Sequence, residues 1–495
     1  MSLVLVANAG SSSLKFKLFE ASSSAAGGGL RALAGGLLDR IGDPGHSAMT
    51  VSVAAPADAG AGAGAAARPS PVPVPIRDHV EGMRRVLDFL GERFPELRTG
   101  GGRAPGGGGL AAVGHRIVHG LDVTAACLVT PAVKAKIREA SALAPLHNPA
   151  GLAGIEAAEA VFGAYISCGP AGEGKGGGVP QVAVFDTAFH CASLPQREHV
   201  YPLPWEYYAE ARPRVRKYGF HGTSHKYLSL EAARMLRERG AGGAAAADAA
   251  ATAGTGGGSG GRSGGQGSGG RGVVDGDEET SGHDGDDGGR PPNLITLHLG
   301  NGSSAAAVER GRSVATSMGM TPLEGLMMGT RSGDLDPAVP LYLMQSGGLS
   351  AAEVDALLNK KSGLLGVCGA SDVRAVLEGA SGGDARCALA LEMFAHRARK
   401  YVGAYTAVLG GDVDALVFSA GVGENSPVVR EMVAGGLERM GVEIDRAKNY
   451  GAVGGAAIGR GVDVATRGSR VRVLVVPTDE ELMIAREALA VAQGM

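Results

Sequence analysis

The chain has 495 residues, of which 44% are hydrophobic and 4% aromatic, so it is long enough for two or three domains with largely aliphatic cores. Its formal net charge of -3 argues against binding nucleic acid or an acidic membrane through bulk positive charge. Five scattered cysteines without a CxxC pair argue against a disulfide scaffold and a zinc site, and no apolar run reaches the roughly 18 residues of a membrane span.

The N-terminal segment predicts a hairpin of two strands. Residues 3–7 form a short apolar run, residues 8–13 a small polar loop, and residues 14–20 alternate between apolar and charged side chains. The apolar run is too short for a signal peptide and lacks a preceding basic region. With the cysteine pattern it favours the cytoplasm, unless a transit peptide missing from this sequence directs the protein to an organelle.

Three clusters of ionisable residues follow or end predicted buried strands. The segment 111–113 leads into GHRIVHG at 114–120, residues 181–190 read QVAVFDTAFH, and residues 220–225 read FHGTSH. Open α/β sheets bind ligands beyond the carboxyl ends of their strands. A single His or Arg in such a place is more often structural, but the recurrence of the pattern favours a functional site.

Low-complexity tracts between these motifs predict loops and one long insertion. Residues 77–98 have the apolar spacing of a helix, whereas residues 53–75 and 100–109 are rich in Ala, Gly or Pro. Residues 238–292 are in turn Ala/Gly-rich, Gly/Ser-rich and acidic. Because such a segment cannot bury enough apolar surface to offset its ordering entropy, we expect it to be disordered.

The sequence after this insertion repeats the pattern of the N-terminus. Residues 294–299 predict a strand, GNGSS a turn, and residues 305–311 a second strand and its turn. Both halves of the chain therefore open with a hairpin around small polar residues. Successive backbone N–H groups in such turns can hold a phosphate, although ordinary hairpin turns have the same composition.

The C-terminal part predicts one long helix, two strands and a capped last helix. The helix covers 384–409, and the strands cover 415–420 and 471–476. Thr478 is expected to be the N-cap of the last helix, because Glu481 follows three residues later.

Nine motifs occur in the order found in acetate kinases and extend from one end of the chain to the other. They read NAGSSSLKFKL at 8–18, GHRIVHG at 114–120, APLHNP at 144–149, FDTAFH at 185–190, YGFHGTSH at 218–225, HLGNGSS at 298–304, TPLEGLMMGTRSGDLDP at 321–337, SAGVGENS at 419–426 and PTDEELMIA at 477–485. The chain therefore resembles the acetate kinase family. The low-complexity tracts fall between the motifs, where loops tolerate extra length at a small entropic cost.

The resemblance implies an α/β protein with the duplicated two-domain fold of sugar kinases, heat-shock chaperones and actin, whose halves are ribonuclease H-like. Residues 1–190 and 482–495 are then the N-terminal domain, and residues 191–481 the C-terminal nucleotide-binding domain. The implied reaction is reversible, direct in-line transfer of the ATP γ-phosphoryl group to acetate with Mg²⁺, or alternatively Mn²⁺. Acetate and ATP are the expected partners, nucleic acid and membranes are not, and the family implies a homodimer.

The resemblance also assigns candidate site residues. A carboxylate is already a nucleophile, so the chemistry needs positive charge to bring two anions together rather than a strong base. The catalytic candidates are Asp186, His221, Arg331 and His147. The acetate candidates are Arg116, through its guanidinium, and an apolar wall of Val118, Leu146, Phe220 and Pro322. The nucleotide candidates are Lys15, His298, Leu299, Gly300, Asn301, Gly302, Asp372, Val373, Arg374, Gly421, Val422, Gly423, Glu424 and Asn425. The magnesium candidates are Asn8 and Glu480.

Two alternatives stay open at this point. One is a propionate or butyrate kinase of the same family, because a single methylene changes discrimination by only about 1–3 kcal/mol. The other is a nucleotide-binding relative that has lost catalysis. That second alternative predicts that the charged site residues have been replaced, yet Arg116, Asp186 and Arg331 are all present.

Overall fold

A computed structural model describes residues 2–21, 29–54, 70–97, 109–163, 178–254 and 290–494. The described residues fold around two mixed sheets flanked by helices. None of the helices in those ranges is long and apolar enough to cross a membrane.

The first sheet is formed by the N-terminal part of the chain. Its strands are β1 (Ser2–Gly10), β2 (Ser13–Ala21), β3 (Leu30–Asp39), β4 (Ala48–Val53), β5 (Val72–Pro73), β6 (Gly109–Ile117), β7 (Cys127–Leu128) and β8 (Gln181–Phe185). They lie in the order β5-β4-β3-β2-β1-β6-β8-β7. β1, β6 and β8 are parallel to one another, and β2 and β7 run antiparallel to their neighbours.

The second sheet repeats this topology. Its strands are β9 (Leu294–Leu299), β10 (Ser303–Glu309), β11 (Arg312–Thr316), β12 (Ala415–Ser419), β13 (Val462–Asp463) and β14 (Arg472–Val475). Their order, β11-β10-β9-β12-β14-β13, matches β3-β2-β1-β6-β8-β7 strand for strand, with the same parallel and antiparallel pairs. The two hairpins noticed in the sequence are thus equivalent parts of two similarly built sheets.

Helices cover the faces of both sheets. Those before the second sheet are α1 (His79–Arg93), α2 (Pro131–Ala140), α3 (Asn148–Phe162), α4 (Ala188–Cys191), α5 (Gln196–His199), α6 (Trp205–Ala209) and α7 (Gly222–Gly254). The helices that follow β11 in the chain are α8 (Ala338–Gln345), α9 (Ala351–Lys360), α10 (Gly363–Cys368), α11 (Val373–Ser381), α12 (Ala385–Val408), α13 (Ala420–Asn425), α14 (Pro427–Ala434), α15 (Arg446–Gly451), α16 (Gly455–Ile458) and α17 (Glu480–Gln493). Short 3₁₀ turns occur at Pro95–Leu97 and Glu438–Met440.

The last helix returns to the first sheet. Ile484, Ala485 and Ala488 of α17 are buried against Val4 and Val6 of β1. A separate core lies between α12 and one face of the second sheet, and Phe394 and Phe418 are among its largest side chains. Because α17 follows β14 directly, this packing brings Glu480 to the junction between the two sheets.

Several local predictions need correction. β1 and β2 pair up to Gly10 and Ser13, so Asn8 lies in a strand opposite Lys15 rather than in a loop, because the turn needs only two residues. β6 likewise continues through Arg116 to Ile117 instead of ending at 113. The N-cap of α17 is Asp479 rather than Thr478, since the Asp479 side chain accepts the N–H of Leu482 at 3.0 Å.

The predicted insertion also begins later than expected. α7 continues to Gly254, so residues 238–254 are helical instead of disordered, in line with the high helix propensity of their alanines. Residues 255–289 of the predicted disordered segment lie outside the described residues, as do residues 55–69 and 100–108 of the loops expected over 53–75 and 100–109. The described ends of those loops are partly strand: β4 extends to Val53, β5 covers Val72–Pro73, and β6 begins at Gly109. The cluster at 220–225 does not follow a strand as expected but leads into α7. The helix around 79–93 and the long helix capped by Asp384 are confirmed.

Candidate active site

Arg116 and Asp186 form an ion pair at the carboxyl ends of two neighbouring strands. Arg116 lies on β6, next to β8 in parallel register, and Asp186 directly follows β8. Nε and Nη2 of Arg116 donate to the two carboxylate oxygens of Asp186 at 3.1 and 2.7 Å. Thr223 lies 3.4 Å from the same carboxylate, and Glu480 Oε2 lies 3.5 Å from Arg116 Nε. Residues from three distant parts of the sequence therefore meet around one guanidinium.

Burial makes this pair interdependent. Asp186 is 1% exposed, and burial raises the pKa of its carboxyl group, whereas the charge and hydrogen bonds of Arg116 oppose that rise. Burial works to lower the pKa of Arg116, but the charges of Asp186 and Glu480 raise it above its usual value. Each group thus favours the ionised form of the other.

His221 stands where the two sheets approach each other. It precedes α7 with a left-handed φ of 56°, a conformation that non-glycine residues adopt mainly where the surrounding structure enforces it. Its ring stacks on His298 at the end of β9, with centroids 4.1 Å apart. Its Nδ1 lies 2.8 Å from the hydroxyl of Ser304 on β10. Burial, followed by the neighbouring histidines and the charges of Arg116 and Arg331, holds the pKa of His221 well below its usual value.

Arg331 and His221 both face the turn of the second hairpin. A Cβ placed on Gly302 would lie 3.4 Å from Nη1 of Arg331 and 3.6 Å from Cε1 of His221. Nη1 of Arg331 also donates to the carbonyl oxygen of Pro322 at 3.1 Å. Among the described residues no carboxylate lies within ion-pairing distance of Arg331, and burial lowers the pKa of its guanidinium. The cation is therefore left uncompensated beside Gly302, a residue of the turn that has no side chain.

His147 belongs to the same electrostatic neighbourhood. It precedes α3 with an exposed side chain, and partial desolvation, followed by the positive charges of Arg116 and Arg331, lowers its pKa. The described structure thus brings together Arg116, Asp186, His221, Arg331 and His147, the five predicted charged or catalytic residues of the acetate side.

The predicted apolar wall is only partly assembled. Phe220 is 2% exposed and packs in a small cluster with Met318, Met328 and Val118. Pro322 adjoins Arg331 through its carbonyl group. Leu146 has 61% of its surface exposed and does not belong to that cluster.

The predicted nucleotide residues lie on three segments of the second half. The hairpin 298–302 is closed by the N–H of Gly300 donating to the carbonyl of Gly302 at 3.1 Å. In α13, the carboxylate of Glu424 accepts the N–H of Thr478 at 3.0 Å, and Asn425 donates to the carbonyl of Gly421. Asp372 caps α11 and forms an ion pair with Arg374 at 2.6 Å, while the Val373 side chain is buried in the core.

The predicted residues of the first hairpin lie on its two paired strands. Asn8, half-buried near the end of β1, faces Lys15 across the strand pair. Lys15 forms an ion pair with Glu481, the residue next to Glu480. The hairpin is thereby tied to the start of α17.

Sequence reasoning missed a set of buried hydroxyls and one histidine behind the site. Ser304 bridges His221 and His225, Thr296 contacts His225, and Ser224 lies between His298 and Thr478. Ser224, His225 and Ser304 were signalled only by their place in the motifs FHGTSH and HLGNGSS, and Thr296 lies outside both. Nothing local distinguishes a buried network from polar residues at the surface.

Comparison with known proteins agrees with this geometry. A model described as the acetokinase family matches residues 3–243 and 288–486. An acetate kinase from Clavibacter michiganensis subsp. michiganensis is 42% identical over 495 residues, covering 100% of both chains. The crystal structure of an acetate kinase from Porphyromonas gingivalis has a TM-score of 0.73 and 35% identity, covering 99% of this chain and 100% of that one. The crystal structure of a propionate kinase from Francisella tularensis has the same TM-score and coverage at 32% identity. The predicted α/β fold is confirmed.

Proposed function

Because the chain belongs to the acetokinase family, we propose that its site transfers the γ-phosphoryl group of ATP to acetate, giving acetyl phosphate and ADP. The chain is a kinase, and its similarity to acetate kinases extends over its whole length. The observation that carries the assignment of the site is the proximity of both His221 and Arg331 to the open turn at Gly302.

Arg116 is the proposed binding site of the acetate carboxylate. Its Nε and one N–H of Nη2 are used by Asp186, and no hydrogen bond from Nη1 to any described residue is observed. The outer edge of the guanidinium, formed by Nη1 and the second N–H of Nη2, can therefore bind a carboxylate in a bidentate manner. In this arrangement Asp186 fixes the orientation of Arg116, which requires no proton transfer by Asp186.

Arg331 is the proposed stabiliser of the transferring phosphoryl group. The acetate oxygen attacks the γ-phosphorus in line with the departing ADP oxygen, and negative charge is spread over the three equatorial oxygens. Arg331 is close to the turn and has no carboxylate partner among the described residues, so its charge is available to those oxygens. His221 and His147 are proposed to contact the same group or the bound acetate.

The oxygen donors at the junction of the sheets fit a magnesium ion. Asn8 offers an amide oxygen and Glu480 a carboxylate, and Mg²⁺ typically takes one or two protein oxygens together with substrate phosphates and water. In the described part of the chain, no group of three or more His, Cys, Asp or Glu could hold a metal by itself. When bound, Mg²⁺ would neutralise phosphate charge. We propose that Asn8 and Glu480 hold it; Mn²⁺ has similar ligand chemistry.

Trapping of acetyl phosphate with hydroxylamine tests the proposed reaction. The full chain should form acetohydroxamate from acetate in a manner that depends on both ATP and Mg²⁺. Absence of the product with folded protein would refute the reaction and favour the catalytically inactive alternative. The similarity to a propionate kinase structure makes the choice of acid a separate question. Comparison of kcat/KM for acetate, propionate and butyrate decides it, and we expect the highest value for acetate.

The homodimer implied by the family is supported by an uncovered helix. α8 has no buried residue, and its segment exposes Leu335, Leu341 and Tyr342 to 44%, 56% and 66%. A contiguous apolar surface of this kind is typical of a contact with another protein. We propose a second copy of the chain as that partner. Light scattering should give twice the chain mass, and Tyr342→Glu should give the mass of one chain.

The proposed domain limits follow the division of the strands. β1 to β8 and α17 form one unit, and the second sheet with its helices forms the other, which supports boundaries near 190/191 and 481/482. The proposed location is the cytoplasm, on the basis of the cysteine pattern; Cys127, Cys191, Cys368 and Cys387 carry no disulfide. Microscopy of the tagged full chain would test this location.

A further inference from the structure

A continuous chain of buried hydrogen bonds extends behind His221. Nδ1 of His221 lies 2.8 Å from Ser304 Oγ, which lies 2.8 Å from Nε2 of His225. Nδ1 of His225 lies 2.7 Å from Thr296 Oγ1. Ser304, His225 and Thr296 are each 0% exposed, so solvent cannot substitute for any member of the chain. The chain links the start of α7 to the central strands of the second sheet.

The proton count allows this chain only two arrangements. Burial lowers the pKa of both His221 and His225 far below neutrality, so each ring is neutral and carries a single N–H. The hydroxyl of Ser304 also has one proton, which it can give to only one of the two rings. Ser304 could accept from both rings only by leaving its own buried proton without an acceptor, because its hydroxyl has no other hydrogen-bond partner among the described residues. All the donors in the chain therefore point the same way, either toward His221 or away from it.

The far end of the chain favours the direction toward His221. The other acceptor within reach of the Thr296 hydroxyl is the carbonyl oxygen of Ala306 at 3.5 Å, a distance at which a hydrogen bond is weak, whereas His225 Nδ1 is at 2.7 Å. If Thr296 donates to His225, then Nε2–H of His225 donates to Ser304, and Ser304 donates to Nδ1 of His221. The remaining proton of His221 is then on Nε2.

That nitrogen faces the proposed phosphoryl position. A Cβ on Gly302 would lie 3.7 Å from Nε2 of His221 and 3.4 Å from Nη1 of Arg331. Building on the function proposed above, we propose that Thr296, His225 and Ser304 are positioning residues that hold His221 as the Nε2–H tautomer, so that a neutral imidazole donates a hydrogen bond to an oxygen of the transferring phosphoryl group. In the opposite arrangement Nε2 would present a lone pair to that anion.

The tautomer of His190 is fixed without a chain of this kind. Its Nε2 lies 3.0 Å from the carbonyl oxygen of Phe220, which can only accept, and its Nδ1 lies 2.7 Å from the hydroxyl of Ser313. A backbone carbonyl therefore sets the tautomer of His190 directly. Among the described residues, no backbone carbonyl is hydrogen-bonded to the ring of His221. Its tautomer depends instead on the proton of Thr296, three hydrogen bonds away along the chain.

The test compares Thr296→Val with two matched variants. Thr296→Ser keeps the hydroxyl, and Thr316→Val removes a buried threonine hydroxyl on the same sheet that lies 3.4 Å from the carbonyl of Ala305 but outside the chain. Nitrogen-15 NMR of histidine-labelled full-length protein with ADP and Mg²⁺ reports which ring nitrogen of His221 carries the proton. We expect Nε2–H in the wild type, Thr296→Ser and Thr316→Val, and a mixture of tautomers in Thr296→Val.

Kinetics supply the second readout. Thr296→Val should lower kcat about tenfold, the order expected for losing one positioned hydrogen bond, with KM for acetate and ATP unchanged. An Nδ1–H tautomer in the wild type, or an unaltered tautomer and kcat in Thr296→Val, would overturn the proposal. If Thr296→Val does not fold, the wild-type tautomer alone decides. A wild type that forms no acetyl phosphate contradicts the proposed function instead, since the NMR result does not depend on activity.

Discussion

Replacement of Arg331 by alanine should abolish most of the catalytic rate while leaving the fold almost unchanged. Arginines that stabilise a transferring phosphoryl group typically contribute about 10³- to 10⁵-fold to kcat. We expect a loss in that range, with KM for acetate changed little, because the charge of Arg331 acts mainly on the transition state. Arg331→Lys should recover only part of the loss, since an ammonium cannot reproduce the planar donor pattern.

The structure also sets the expected effect on stability. Arg331 makes one hydrogen bond to a carbonyl oxygen and has no described ion-pair partner. Losing that bond costs about 1 kcal/mol, and removing an unpaired, partly buried cation offsets part of the cost. The free energy of unfolding should therefore change by less than about 1 kcal/mol.

Arg116→Ala is the matched contrast, because it removes a similar side chain from the same site. It leaves the Asp186 carboxylate buried without a partner, and breaking a buried ion pair in this way costs about 3–5 kcal/mol. Its main kinetic effect should be a higher KM for acetate.

Urea unfolding and hydroxamate kinetics, run on both variants, check these expectations. Equal losses of kcat with unchanged KM for acetate would refute the division of roles. So would an Arg331→Ala variant that is destabilised as strongly as Arg116→Ala.

Three further predictions concern acid stability, substrate choice and the insertion. His115 is buried away from the site, and burial lowers its pKa to about 4 from the usual 6.5. As the pH falls, this histidine is therefore protonated in the unfolded chain before it is protonated in the folded protein. The free energy of unfolding should therefore fall between about pH 6.5 and pH 4. In urea unfolding at about pH 7.5 and pH 5, His115→Gln should lose about 1–2 kcal/mol less of this free energy than the wild type. An identical loss in both proteins would contradict this. Val118→Ala opens the cluster around Phe220 and should raise kcat/KM for propionate relative to acetate by about 10-fold, whereas an unchanged ratio would remove Val118 from the substrate wall. Deletion of residues 244–287, which lie between the two matched ranges of the family model, should leave kcat and KM within about twofold of wild type, and a loss of folding or activity would show that the insertion has a role.

The parts of the molecule that sequence reasoning predicted well are those fixed by local pattern. The apolar runs around 294–299 and 415–419 became the central strands of the second sheet, and the two small-residue turns became equivalent hairpins. Element ends were less predictable. Asn8 was expected in a loop, but local strand pairing extends to the shortest turn. The hydroxyl of Thr478 contacts Ser224, and the side chain of Asp479 accepts the N–H of Leu482 and caps the helix instead. The second outcome thus involves a residue far away in the sequence.

Contacts across long sequence distances could not be predicted from pattern at all. Arg116 and Asp186 are separated by 70 residues, and only the parallel register of β6 and β8 makes them partners. The hydroxyl of Ser304 gives no sign in the sequence that it lies between two histidines. The resemblance to a family identified the candidate site residues. The structure adds that Asp186 fixes the orientation of Arg116, and that Arg331 has no ion-pair partner among the described residues.

The position of α17 explains how two similar sheets yield a single site. Each half contributes a hairpin, but the proposed acetate side is formed by Arg116 and Asp186 of the first half, whereas His221 and Arg331 adjoin the hairpin of the second. α17 leaves the second sheet and packs on the first, so Glu480 approaches Arg116 while the neighbouring Glu481 pairs with Lys15. Because α17 directly follows the second sheet and packs on the first, the contact between Glu480 and Arg116 links the proposed acetate position to the connection between the two halves.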